Sequence, residues 1–127
     1  MSLHRPKGEM AEKCPIRDVL DRLGDRWTVL IIYELENGTL RFSELRKQIG
    51  DISQRMLAQT LRTLEQDGLV NRTVYPTVPP RVEYSLTELG VSLLNPLNQM
   101  IAWAADNHEQ VRAARAAYVP PPQQVAL

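Results

Sequence analysis

The chain has a single cysteine, Cys14, among 127 residues. That excludes an internal disulfide framework and any zinc site built from several cysteines. Long apolar runs are missing too. Nothing approaches the ~20 consecutive apolar residues needed to span a bilayer, and the opening segment MSLHRPKGEM has no hydrophobic signal core. The expected location is the cytoplasm, with no membrane partner. A catalytic constellation is also lacking. His4 and His108 are far apart in sequence, Cys14 has no evident histidine partner, and no glycine-rich phosphate loop occurs. Neither enzymatic activity nor a cofactor or metal is expected. The length fits one domain, large enough for a core and small for an enzyme with a deep cleft.

Net charge is zero, which argues against a polyanionic partner until the charges are located. Residues 1–40 carry six Lys/Arg against seven Asp/Glu, residues 82–127 two against four, and residues 41–81 seven against four. The middle third is basic, and a neutral protein can bind a polyanion through one such patch.

Residues 1–13 read as a loose polar arm. Pro15 suits the first turn of a helix running to Leu23, with Gly24 ending it. Asp25 caps a second helix, RWTVLIIYELENG, closed by Gly38. TLRF is a very short strand, and Ser43 with Glu44 starts a brief third helix, SELRKQIG. Ser53 caps a fourth, in which Leu57, Leu61 and Leu64 recur at helical spacing until Gly68 stops it. LVNRTVYP and RVEYSL alternate around TVPP, the pattern of a β-hairpin with a long tip. Thr87 and Glu88 open a last helix to roughly Ala117, with Pro96 inside it and expected to bend it. Residues 119–127 read as a disordered, proline-bearing tail.

A short helix and turn leading into a basic helix, followed directly by a hairpin, is the order of a winged helix-turn-helix. In that fold the second helix of the pair enters the major groove. The predicted fold class is mainly α with a small β-hairpin. Residues 14–118 form the domain, and its N- and C-terminal helices serve dimerisation. The outer face of the fourth helix carries Gln54, Arg55, Gln59 and Arg62, with no carboxylate between Ser53 and Leu64. On an isolated helix this would be a solvated face. Between a turn and a wing, it favours double-stranded DNA. Glutamine can pair bidentately with adenine and arginine with guanine, each worth ~1–3 kcal/mol of discrimination. Ser53, at the helix start, suits a phosphate or a nearby base edge. Ser43 and Lys47 are weaker phosphate candidates. PTVPPR could be no more than a stiffened turn, but Arg81 leaves its tip and is expected to reach a flanking phosphate or the minor groove.

Leu93, Leu97, Met100, Ile101 and Ala104 make an apolar stripe on a helix that outlasts a winged core, so a second copy of the chain is the expected cover. Trp27 and Trp103 read as core or interface. A dimer places two recognition helices on a pseudo-palindromic operator. A winged-helix module for protein or RNA contact, without operator recognition, is the alternative. Cys14 has two readings. It is a small buried hydrophobe, or a reactive thiol at a helix start with Lys13 and Arg17 close in sequence, open to a small electrophile or thiol.

These residues also resemble the HxlR-type transcriptional regulators, a branch close to the MarR-type winged-helix proteins. The resemblance covers about residues 14–104. It rests on CPIRDVLDRLGDRWTVLIIYELENGTLRFSELRKQIGDIS, on LAQTLRTLEQDGLVNR, and on YPTVPPRVEYSLTELG followed by MIAW. The family pattern often has two glycines and a lysine before Trp27, where this chain has GDR. The resemblance implies a DNA-binding homodimer that represses or activates a nearby operon. It also implies a redox or electrophile sensor at Cys14, since some members sense through a cysteine at that position.

Overall fold

The computed structural model describes residues 14–122. The expected N-terminal arm (residues 1–13) and the end of the expected tail (residues 123–127) lie outside the described residues. The chain divides into two compact units, one ending at Asn95 and the other starting at Pro96. The first holds α1 (Pro15–Leu23), α2 (Arg26–Glu34), a 3₁₀ turn (Leu35–Asn37), β1 (Leu40–Arg41), α3 (Phe42–Ile49), α4 (Gln54–Gln66), β2 (Val70–Tyr75) and β3 (Arg81–Leu86). Helix α5 (Glu88–Ala117) begins in this unit and supplies the second.

Local chemistry sets the ends of these elements. Asp25 Oδ1 accepts from the Trp27 N–H at 2.9 Å, capping α2. The expected single helix to Gly38 instead tightens into the 3₁₀ turn after Glu34, a common way to finish a last turn. Helix α3 starts one residue before the expected Ser43, because Glu44 Oε1 reaches back to the Arg41 N–H at 2.9 Å. Ser53 Oγ accepts from the Met56 N–H at 3.0 Å and caps α4. At the other end of α4, Gly68 takes φ 76°, a left-handed value that favours glycine. Its N–H donates to the Glu65 carbonyl at 3.1 Å and the Leu69 N–H to the Leu64 carbonyl at 3.0 Å, the paired bonds of a Schellman stop.

The core of this unit is apolar and shared among elements. Ile31, Ile32 and Leu35 from α2 and its turn, Leu45 of α3, Ile52 of the connecting turn, and Leu57, Leu61 and Leu64 of α4 are all buried. Val70 and Tyr84 close it from the sheet. The hairpin gains a third strand from TLRF. The order is β1-β3-β2, all antiparallel, with Leu40 opposite Tyr84, Arg41 opposite Glu83, and Tyr75 opposite Arg81. Because side chains alternate along a strand, the sheet face away from Tyr84 carries Arg41, Thr73, Tyr75, Arg81 and Glu83.

The first turn of α5 is tied to the end of α4. Thr87 Oγ1 donates to the Gly68 carbonyl at 2.6 Å and accepts from the Gly90 N–H at 3.0 Å. A Cβ on Gly90 would stand 2.3 Å from the Leu69 carbonyl oxygen, so only glycine permits this approach. Helix α5 then continues unbroken past Pro96. Residues 118–122 have no regular secondary structure.

Candidate nucleic-acid interface

Helix α4 presents two faces of opposite character. Leu57, Thr60, Leu61 and Leu64 are buried, while Gln54, Arg55, Gln59 and Arg62 are exposed. Thr60 resolves its burial locally, its hydroxyl donating to the Met56 carbonyl at 2.8 Å. The leucine face is thus committed to the core. What remains outward is a set of donors and cations of the kind that reads base edges and phosphates.

The predicted site residues separate into three places. Gln54 lines a cleft with Ser43 and Lys47 of α3, and Ser53 stands beside it at the head of α4. The Ser53 oxygen is occupied by its cap, which leaves the hydroxyl hydrogen to donate outward. Arg46 lines the same cleft and was not among the residues expected there. Its signal was available, since it lies three residues after Ser43 and one before Lys47 on α3. Arg46 Nε donates to the Ile52 carbonyl at 3.4 Å, a bond across the turn that joins the two helices.

Gln59 sits on the other flank of α4. It lines an opening shared with Asp21 of α1 and Asp25 of the following turn. The carboxylate-free face in sequence is therefore bordered in space by two acids. Arg22 lines the same opening, and Arg55 and Arg62 are the exposed cations of this face.

Arg81 is drawn back onto the wing. Its guanidinium carbon lies 4.4 Å from the Tyr75 ring centre, and Glu83 Oε1 is 3.6 Å from its Nε. The tip beyond is stiffened by three prolines and by the Thr77 hydroxyl, which donates to the Pro79 carbonyl at 2.8 Å. Val78 at the tip is fully exposed.

The predicted dimer stripe is mixed. Met100 is 59% exposed, Leu93 and Ile101 are half-buried, and Ala104 is exposed. Leu97 is 2% exposed within the single chain. Trp103 is 60% exposed, whereas Trp27 is half-buried under the Arg26 guanidinium. Helix α1 adds surface that the sequence reading did not itemise. None of its nine residues is buried, and Ile16, Val19 and Leu20 are all exposed. It is pinned instead by Arg22, whose Nε donates to Asp67 Oδ2, at the end of α4, over 2.6 Å.

Cys14 is the N-cap residue of α1 and is half-buried, and its side chain makes no capping hydrogen bond. Among the described residues no group of three or more His, Cys, Asp or Glu is placed to hold a metal ion. No helix among them is long and apolar enough to cross a membrane.

The comparisons with known proteins agree with this architecture. Residues 22–112 match the model of the HxlR-like helix-turn-helix family. The HTH-type transcriptional regulator YtfH of Escherichia coli is 50% identical over 105 residues, covering 83% of each chain. The solved structure of the transcriptional regulator YtfH from Salmonella typhimurium is 48% identical, covers 87% of this chain and 99% of its own, and superposes with a TM-score of 0.75. The redox regulator HypR in its reduced form is 42% identical over 78% of this chain and 98% of its own, with a TM-score of 0.74. The chain belongs to the HxlR-like helix-turn-helix family and is a DNA-binding transcriptional regulator.

Proposed function

We propose that the protein is a cytoplasmic, non-enzymatic regulator that binds a pseudo-palindromic operator as a homodimer, repressing or activating a nearby operon. The carrying observation is the division of α4 into a buried leucine face and an exposed face of Gln54, Arg55, Gln59 and Arg62. In this reading Arg55 and Gln54 contact base edges and Arg62 and Gln59 extend the groove contact. Ser43, Lys47 and Ser53 hold phosphates on the α3 side. Arg81 contacts the flanking backbone or minor groove. Dimerisation uses the exposed aliphatic face of α1 together with Leu93, Leu97, Met100, Ile101 and Ala104 of α5. Two-fold symmetry then sets half-sites about one helical turn apart. Selection of bound duplexes from a random pool tests this. A pseudo-palindrome with that spacing is the expected product. Recovery of no consensus, with salt-insensitive binding, would refute operator recognition in favour of a protein- or RNA-binding module.

The signal proposed for this regulator acts through Cys14. The support is the redox behaviour named for HypR, together with the position of the thiol at the head of α1, a helix that has no buried residue of its own. Addition of Sγ to the ring carbon of a quinone forms one S–C bond, and the thiol proton ends on a ring oxygen. A bulky adduct there shifts α1 at the dimer surface. A quinone should release operator DNA from the wild type and leave Cys14→Ser bound. Equal release from both proteins, or from neither, makes Cys14 a structural residue.

A further inference from the structure

The root of the wing holds a cation that is already engaged. Tyr75 and Arg81 are the last paired residues of the hairpin, and the guanidinium of one lies over the ring of the other. Arg81 Nε is buried and donates no hydrogen bond. The Glu83 oxygen 3.6 Å from it is within Coulomb reach but too far for a good hydrogen bond. Strand register places Glu83 on the central strand, opposite Arg41 of β1 and Thr73 of β2, with Arg81 two residues before it on the same face. Its side chain retains 19% exposure and that of Arg81 39%. All of these groups lie on the sheet face away from the core, where apolar packing does not require them.

This arrangement has two physical consequences. The ring and the carboxylate restrict the directions open to the guanidinium, which lowers the ordering cost when it meets DNA. The same carboxylate offsets part of the charge, so a phosphate must compete with it for Arg81. A pre-aimed cation of reduced charge gains most where the whole wing is seated, and least on an arbitrary polyanion.

We propose that Glu83 is a positioning residue for DNA selectivity: it holds Arg81 against Tyr75 and trades general affinity for discrimination between duplexes. The proposal rests on the reading of the wing as a DNA contact.

The test compares wild type, Glu83→Gln, Glu83→Asp, Arg81→Ala and the Arg81→Ala/Glu83→Gln double variant over a salt series. Each is measured on a duplex recovered by selection and on a shuffled duplex of the same length, with thermal melts to verify folding. Glu83→Gln should tighten binding to the shuffled duplex several-fold, steepen the salt dependence by up to about one counterion, and narrow the ratio between the two duplexes. Glu83→Asp, which keeps the charge but withdraws the carboxylate, should also narrow that ratio. In the Arg81→Ala background the glutamine substitution should change neither slope nor ratio. Equal effects in both backgrounds would show that the carboxylate acts by its own repulsion and would overturn the proposal. A wild-type ratio retained by either Glu83→Gln or Glu83→Asp would overturn it as well. Undiminished binding of Arg81→Ala to both duplexes would instead remove the wing from the contact, while leaving the role of α4 standing.

Discussion

Helix α4 buries Leu57, Leu61 and Leu64 almost completely, whereas α1, with Ile16, Val19, Leu20 and Leu23 at the same helical spacing, buries none of them. The two helices share an amphipathic pattern but differ in what the chain itself covers. In α4 the apolar face is used up by the core, and hydrogen-bonding and cationic groups are left outside. In α1 Ile16, Val19 and Leu20 are left outside and Leu23 is half-buried, and an exposed ion pair runs from Arg22 to Asp67. What a folded chain leaves uncovered indicates the chemistry of its partner. A polar, carboxylate-free face suits a polyanion, and an aliphatic face suits another protein surface.

Several substitutions would break or sharpen this contrast. The largest effect belongs to the core side of α4. Leu61→Ala should lower unfolding free energy by about 2–5 kcal/mol in urea titrations. A loss below about 1 kcal/mol would mean that the helix is not anchored as described. Next comes the exposed face of α1. Leu20→Asp should weaken dimerisation at least about tenfold in sedimentation, or ~1.4 kcal/mol, with little change in the melting of dilute protein. Unchanged association would remove α1 from the interface.

The cap of α4 separates stability from recognition. Ser53→Ala should cost about 1 kcal/mol through the lost bond to the Met56 N–H. Ser53→Asp should keep that stability yet weaken duplex binding, because it sets a carboxylate at the head of the recognition helix. Retained binding by the aspartate variant would place Ser53 away from DNA. The smallest effect is expected for Asp67→Asn. Breaking an exposed pair costs roughly 0.2–1 kcal/mol, so a larger drop in thermal stability would show that α1 depends on this bond more than its exposure implies.

Much of this was legible because caps and stops are local. Pro15, Asp25, Ser53 and Gly68 each mark a helix end that the structure places where the residue type demands it. The winged order followed from those ends. Three features were not recovered. The 3₁₀ turn at Leu35–Asn37 replaces the end of an expected helix, and periodicity does not separate the two over three residues. The stripe on α5 is legible by spacing, but its spread of exposures, from 2% at Leu97 to 59% at Met100, is not. The site also has neighbours that no linear window contains: Asp21 and Asp25 border Gln59 from another helix and its turn, and strand pairing sets Arg41 opposite Glu83. Arg46 and the aliphatic face of α1 differ from these. Their helical spacing is legible in the sequence, with Arg46 three residues after Ser43 and Ile16, Val19, Leu20 and Leu23 recurring at one helix face.

The central claim is that the outer face of α4 reads sequence rather than charge alone. The most direct test is the ratio of dissociation constants for a selected and a shuffled duplex, measured for the wild type and for Arg55→Ala at one salt concentration. Loss of one base contact worth ~1–3 kcal/mol should shrink that ratio about tenfold, while affinity for the shuffled duplex stays nearly constant. If both affinities fall by the same factor and the ratio is preserved, Arg55 is a phosphate contact and the account of α4 as the reading helix is contradicted.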